Sequence, residues 1–430
     1  MNEIKKSHWR VIITAGMGFF TDAYDLFIIG IITAILIPLW HLSTLQISLL
    51  NGAALLSAAA GALIFGWLSD KFGRKKMYGM EILILFIGAV ISAFSPSFAY
   101  LFVFRIIMGI GVGGDYPGSA VVVSESVDHR RRGFFVLLVF AMQAVGLIVG
   151  PLLASGLLAT QINHNLIWRI LLLFGAASAI SVFYLRRKIS ETPWYELSKS
   201  APYEVSRAVS VFTKFKKKRV LEPRASRELL SWKWLKCLIG TAGAWFLLDV
   251  AFYGNGISSM LILDTIRPDA SLIQHTLLSA LIFLCFAVPG YAFSAKYVDT
   301  IGRKRLQILG FFVMALCYFG IAMITHLQQH IVLFVLLFGL SFFFVNFGPN
   351  ATTFLIPSEI YPTRIRARAH GISAATGKVG AFIGAFFLPL LLEAMGMPFT
   401  MKTMAAVSLL GILLTFLIPE MKGRSLGETE

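Results

Sequence analysis

Gly66-Trp67-Leu68-Ser69-Asp70-Lys71-Phe72-Gly73-Arg74-Lys75-Lys76 is a short basic turn between two apolar runs. Its centre, Asp70-x-x-Gly73-Arg74-Lys75, returns 229 residues later as Asp299-x-x-Gly302-Arg303-Lys304. Gly73 suits the turn, Asp70 stands at a helix end, and the cations are available for an ion pair that locks one conformation. The echo then continues at an offset of 234. Gly114 answers Gly348, Ser124-Glu125 answers Ser358-Glu359, Val145-Gly146 answers Val379-Gly380, and Gly150 answers Gly384. One match would be noise; several in order argue that the chain is a duplicated unit.

Composition says what the unit is made of. The 430 residues are 57% hydrophobic and only 14% charged, with a mean hydropathy of +0.77. Soluble globular proteins carry about 25% charge. The chain is therefore not of that class, nor disordered, collagen-like or a disulfide scaffold. Cys237, Cys285 and Cys317 sit in apolar runs without zinc spacing and read as small hydrophobes. A membrane-spanning helix needs about 20 mostly apolar residues. Twelve such stretches can be drawn, at 9–37, 46–68, 77–94, 99–123, 133–158, 166–186, 235–262, 274–296, 305–324, 330–356, 367–391 and 400–419. The alternating segments of about 10 residues that mark a β-barrel are not the pattern here. No cleavable leader is expected, because the apolar run after His8 is too long for one.

Charge sets the orientation. Lys5, Lys6 and Arg10 precede span 1; Lys71 and Arg74 to Lys76 follow span 2; Arg130 to Arg132 follow span 4. Lys296 and Arg303 to Arg305 follow span 8, and Arg364, Arg366 and Arg368 follow span 10. The alternate loops near 38–45, 95–98, 159–165, 325–329 and 392–399 hold no Lys or Arg, Arg267 being the clear exception elsewhere. The positive-inside rule then places both termini in the cytoplasm of a multi-pass plasma-membrane protein. It also accounts for the net charge of +16 without nucleic acid, since the cations are spread over many loops. The one long polar stretch, 187–234, divides the chain into halves 1–186 and 235–430. The expected fold is all-α, with twelve transmembrane helices in two six-helix halves.

Charges inside spans point to the work. A charged side chain at the bilayer centre costs about 2.5–3.5 kcal/mol on the lenient insertion scale, and such residues mark substrate or proton pathways. Asp22 and Asp25 lie in span 1, Arg105 and Asp115 in span 4, Asp249 in span 7 and Lys378 in span 11. Asp22, Gln143, Asp249 and Lys378 lie roughly 10–14 residues in from the basic ends of spans 1, 5, 7 and 11. At about 1.5 Å per residue this is roughly 15–21 Å, near the middle of a core about 30 Å thick. Asp115-Tyr116 in span 4 and Asn350 in span 10 fall at the same depth. Three spans from each half thus bring polar groups to one layer, as a central cavity requires. Trp245, Asp249 and Tyr253 form one stripe of span 7, and Asp22 and Asp25 share a face. Arg105, nearer the outer surface, reads as a structural partner of Asp22 or Asp25. Glu125 and Glu359 belong to a cytoplasmic charge network, and His129, His164 and His370 to solvated loops or span ends.

The duplicated basic loop resembles the signature of the major facilitator superfamily, whose two parallel six-span halves hold a site near the midplane. Longer stretches are similar to its phosphate:proton symporter family. They are Gly16-Met17-Gly18-Phe19-Phe20-Thr21-Asp22-Ala23-Tyr24-Asp25, Gly113-Gly114-Asp115-Tyr116-Pro117, and the run from Gly240 through Trp245 and Asp249 to Gly254. A fourth links Asn346-Phe347-Gly348-Pro349-Asn350, Pro362-Thr363-Arg364 and His370 to Lys378. The middle loop is short for that family, and Ala351 stands where members tend to have Thr. The resemblance implies a phosphate pocket of Tyr116, Gln143, Trp245, Asp249, Tyr253, Asn350 and Lys378. It implies proton coupling at Asp22, Asp25 and Asp115, with Arg105 beside them, and a cytoplasmic gate at Asp70, Gly73, Arg74, Asp299, Gly302 and Arg303.

The residues support this chemistry in their own right. Lys378 supplies charge for an anion, while Tyr116, Tyr253, Trp245, Gln143 and Asn350 supply neutral donors. Asp249 suits dihydrogen phosphate, whose hydroxyls a carboxylate accepts, and repels sulfate, which has none at neutral pH. The expected function is proton-coupled import of inorganic phosphate by alternating access, with the bilayer and no nucleic acid as surroundings, by a chain working as a monomer. Other anions, organic acids and sugars are the alternatives, the last because of the tail Pro419-Glu420-Met421-Lys422-Gly423-Arg424. A signalling relic would have lost these carboxylates. No Ser/His/Asp set, metal-ligand spacing or Walker motif suggests an enzyme, a cofactor, a metal or an ATP-driven pump.

Overall fold

The computed structural model describes residues 2–72, 74–126, 132–160, 162–187 and 229–423. Among them all regular structure is helical. The first half consists of α1 (Asn2–Trp40), α2 (Thr44–Phe72), α3 (Arg74–Ala93), α4 (Phe98–Ser126), α5 (Arg132–Phe140), α6 (Met142–Leu158) and α7 (His164–Arg187). The second consists of α8 (Trp232–Ile257), α9 (Ser259–Ile266), α10 (Leu272–Ile282), α11 (Val288–Ile301), α12 (Arg303–Met323), α13 (Ile331–Phe347), α14 (Pro349–Ile360) and α15 (Thr363–Thr415).

These fifteen helices make twelve spans because several spans are broken. Span 5 is α5 and α6, interrupted at Ala141; span 7 is α8 and α9, interrupted at Ser258. Span 8 joins α10 to α11 through a wide π turn at Phe283–Ala287, just before Pro289. Span 10 is α13 and α14, parted at Gly348 (φ −110°, ψ −102°) where Pro349 lacks the N–H that would continue the ladder. Conversely α15 is two spans in one. Its 53 residues would be roughly 80 Å long if straight, far beyond a core of about 30 Å. Gly396, at φ 74° and ψ 174°, reverses it between spans 11 and 12. Ten of the described helical segments are long and apolar enough to cross a membrane, Arg368–Thr415 holding two spans, and the shorter apolar Gly79–Ala93 completes span 3.

The outer faces carry exposed Leu63, Phe94, Val103, Phe312, Phe319, Val332 and Leu413, which is the lipid-facing inverse of a soluble surface. The halves meet through α2 against α15, α6 against α10 and α5 against α11. Both ends of the seam are shut. At the end away from the basic loops, Gly30 lies so close to span 7 that a Cβ would collide with the Ile257 carbonyl. There Ser155 Oγ also donates to Thr276 Oγ1 at 2.8 Å. At the basic end, the Phe354 ring stacks on Phe140 at 4.6 Å and meets Phe19 edge-on at 5.4 Å. Gly133 of the first half backs onto Asp299 and Arg303 of the second.

The second copy of the repeated loop is a charge cluster. Gly302 turns the chain at φ 109°. Arg303 pairs with Asp299 at 2.8 Å and, through two nitrogens, with Glu359 at 2.9 and 3.0 Å. Glu420 of the tail accepts from the Arg303 and Lys304 main-chain N–H groups at 3.0 and 3.1 Å, so its anion caps the N-terminus of α12. In the first copy, Gly73 lies outside the described residues, as do the side chains of Asp70, Arg74 and Glu125. His129 and residues 188–228, most of the 187–234 segment, also lie outside them. Cys237 and Cys317 are buried, whereas Cys285 is exposed on the π turn rather than packed inside.

Candidate functional site

Span 7 builds one wall. Trp245, Asp249 and Tyr253 fall one helical turn apart and all point inward, as their spacing predicts. Span 11 faces them with Lys378, spans 4 and 5 bring Tyr116 and Gln143, and span 10 brings Asn350. All seven are between 1% and 4% exposed, so these residues converge from five spans on one enclosed layer.

Its cation is held by aromatic and polar groups together. Lys378 Nζ donates to the Tyr253 hydroxyl at 2.8 Å and stands 3.8 Å from Asp249 Oδ2. It also lies 4.0 Å from the Tyr116 ring centre and 4.4 Å from that of Tyr253, where the negative ring faces attract it. The Trp245 indole lies beside the Asp249 carboxyl. Asp249 Oδ2, by contrast, is buried and receives no hydrogen bond. From Lys378 a polar chain crosses the seam. Tyr253 and Tyr116 hydroxyls meet at 3.1 Å, and Gln143 Nε2 lies 3.4 Å from Tyr116. The Tyr291 hydroxyl donates to Gln143 Oε1 at 3.0 Å, and Asn350 Nδ2 donates to Tyr291 and to Asn346 Oδ1, each at 2.8 Å.

The carboxylates of the first half divide into two groups. Asp22 and Asp25 are fully buried, and no oxygen of either side chain has a hydrogen-bond partner. Asp115 turns from the pocket to Ser119 at 2.5 Å and to Arg186 at 2.6 Å. Arg186 also holds Glu81 at 3.0 Å. Arg105 settles on the Asp25 side: its Nη1 donates to the Asp25 main-chain carbonyl at 3.0 Å, and its Nε and Nη2 have no hydrogen-bond partner.

Sequence reasoning missed Tyr291, Asn346 as a site residue, Glu81 and Arg186. Arg186 passes for one more cation of a basic loop, and a lone Tyr in an apolar span carries no spacing signal. His370 corrects an expectation of solvent: it is 3% exposed, its Nε2 bonded to the Phe354 carbonyl at 3.2 Å. Its ring meets Trp245 edge-on at 5.7 Å. The neighbouring arginines suggested a wet loop, but span 11 already dives inward at Ala369. His164 is exposed, as expected.

Two duplicated six-span halves closed around a buried polar layer are the plan of a membrane transporter fold. A family model described as "Sugar (and other) transporter" matches residues 10–430. "Probable inorganic phosphate transporter 1-6" of Arabidopsis thaliana is 37% identical, over 100% of this chain and 96% of its own length. "Inorganic phosphate transporter 1-4" of the same plant is 38% identical over 98% and 92%. "Low affinity inorganic phosphate transporter 1" of Petunia hybrida is 37% identical over the same shares. Among solved structures, the proton:xylose symporter XylE bound to 6-bromo-6-deoxy-D-glucose superposes with a TM-score of 0.79 at 18% identity. That match covers 99% of this chain and 98% of the other, and it shows the major facilitator fold. The chain belongs to the sugar (and other) transporter family of that superfamily, in the group that holds these plant proteins.

Proposed function

We propose that this protein imports inorganic phosphate together with protons by alternating access. Residues 1–186 and 235–430 act as the two rocking halves and 187–234 as a cytoplasmic linker. Both termini face the cytoplasm of a plasma-membrane protein that works as a monomer. The basic loops support that orientation. The relatives' names support phosphate as the substrate and transport, rather than catalysis, as the activity.

One observation carries the reading. A buried cation, Lys378, stands 3.8 Å from a buried carboxylate oxygen, Asp249 Oδ2, that accepts no hydrogen bond. An unpaired buried acceptor costs about 1–3 kcal/mol, which a ligand donor removes. The ligand that satisfies both groups is an anion that also carries a hydroxyl. Dihydrogen phosphate and arsenate qualify, and sulfate does not. Tyr116, Tyr253, Trp245, Gln143 and Asn350 complete the shell as neutral donors. Asp22 and Asp25, whose carboxyls no hydrogen bond reaches, form the proton side with Arg105 at the back of Asp25 and with Asp115 beside them on Arg186, since intramembrane carboxyls are the usual material of proton relays. Asp299, Gly302 and Arg303, with Asp70, Gly73 and Arg74 as their first-half counterparts, form the cytoplasmic gate.

Uptake of labelled phosphate by reconstituted protein, with and without an inward proton gradient, tests this. The gradient should drive accumulation, arsenate should compete, and sulfate, glucose and benzoate should not. Accumulation that ignores the gradient, or equal competition by sulfate, would overturn it.

A further inference from the structure

The polar chain across the site has a direction, and a main-chain carbonyl sets it. The Phe342 carbonyl can only accept, and it takes the Asn346 Nδ2 proton at 2.7 Å. The other end of that amide, Oδ1, must therefore face Asn350 and accept from its Nδ2. The same Asn350 amino group donates to the Tyr291 hydroxyl. A phenol has one proton. Tyr291, already an acceptor from Asn350, gives that proton to Gln143 Oε1. Gln143 is then oriented in turn, with its amino end directed to Tyr116. On the far side Lys378 donates to Tyr253, so Tyr253 is free to donate to Tyr116. Tyr116 receives from both directions and keeps its own proton for something else.

An amide placed beside an anion needs this orientation. Reversed, Gln143 would present a carbonyl to the negative charge. The residue that prevents the reversal is Tyr291, which belongs to the second half and sits 2% exposed against the Phe140 ring of the first. We propose that Tyr291 is a positioning residue for the anion site: its hydroxyl carries the polarity set at Phe342 across the seam and holds Gln143 with its amino end toward the substrate. Tyr291 acts through Gln143 rather than by touching the anion. This rests on the phosphate reading given above.

The test is a double-mutant cycle on phosphate uptake with Tyr291→Phe, Gln143→Leu and the pair. Tyr291→Phe keeps the ring that packs on Phe140 and removes only the hydroxyl. KM should rise about tenfold, the equivalent of one buried hydrogen bond in a charged setting, with the loss falling on KM rather than on Vmax. Gln143→Leu should raise KM at least as much. Adding Tyr291→Phe to Gln143→Leu should change nothing further, since the side chain it orients is gone. A merely structural Tyr291 would instead lower the yield or the melting temperature and leave additive effects. An unchanged KM in Tyr291→Phe, or additive losses in the pair, overturns the positioning role alone. Wild-type protein that takes up no phosphate overturns the substrate and this inference with it.

Discussion

Lys378 and Asp249 face each other across the site at 3.8 Å, within ion-pair reach, while the shorter contact of the ammonium goes to the Tyr253 hydroxyl at 2.8 Å. The pair is thus held open rather than closed into a hydrogen-bonded bridge. A ligand oxygen can take the ammonium and a ligand hydroxyl can take the carboxylate without first breaking a tight contact. Lys378→Ala should therefore abolish phosphate uptake while the protein still inserts and folds, since the two tyrosine rings and Asp249 remain. Uptake assays on protein that elutes as a single folded species check this, and normal transport by the variant would sink the pocket assignment.

The proton side predicts a pH dependence with a definite sign. If protons enter with phosphate as proposed, the inward gradient is a driving force, so uptake should rise as the external pH falls and collapse with a protonophore. Single Asn variants of Asp22, Asp25 and Asp115 should lose accumulation against a gradient while keeping phosphate exchange at equal concentrations. If all three variants still concentrate phosphate, protons are coupled elsewhere.

Arg186 binds two carboxylates at once, Glu81 and Asp115, with each partner 2% exposed or less. Removing one partner of a buried pair typically costs about 3–5 kcal/mol, because the remaining charge is stranded. Arg186→Met should lower the thermal midpoint of the purified protein sharply, and Arg186→Lys should recover part of the loss. A melting curve that Arg186→Met leaves in place would mean that the cluster contributes little to the fold.

Gly30 marks where the halves close at the end away from the basic loops, its backbone pressed on the Ile257 carbonyl. Gly30→Leu should hold that end apart. Phosphate should still bind, measured by calorimetry, while transport stops. Full transport by this variant would show that the Gly30 contact is not part of the cycle.

Much of this was legible in the chain. The twelve spans follow from apolar length, the duplicated plan from the repeated Asp-x-x-Gly-Arg-Lys loop, and the site from charges placed where solvation is poor. Two further equivalences lie in the same text. Ala15-Gly16, Phe19 and Asp22 recur as Ala242-Gly243, Phe246 and Asp249 at an offset of 227, and the 234 offset carries Tyr116 onto Asn350. Asp22 and Asp249 are thus counterparts at the start of each half. What stayed hidden depends on tertiary contact. The breaks at Ala141 and Ser258 occur without proline, so local chemistry does not announce them. Arg186 and Glu81 lie near the basic end, where charge is ordinary, and only packing shows that they are buried. Tyr291 becomes informative once Gln143 and Asn350 are seen on either side of it.

The most direct test of the central claim is the binding of phosphate and sulfate to Asp249→Asn, measured by calorimetry beside the wild type. In the proposed site the carboxylate accepts a phosphate hydroxyl, whereas an amide in its place would also donate, and sulfate can only accept. Phosphate binding should weaken by about 1–3 kcal/mol, the usual cost of a buried polar mismatch, and sulfate should gain relative to phosphate. A phosphate-to-sulfate preference that stays at its wild-type value would contradict the account and place selectivity away from Asp249.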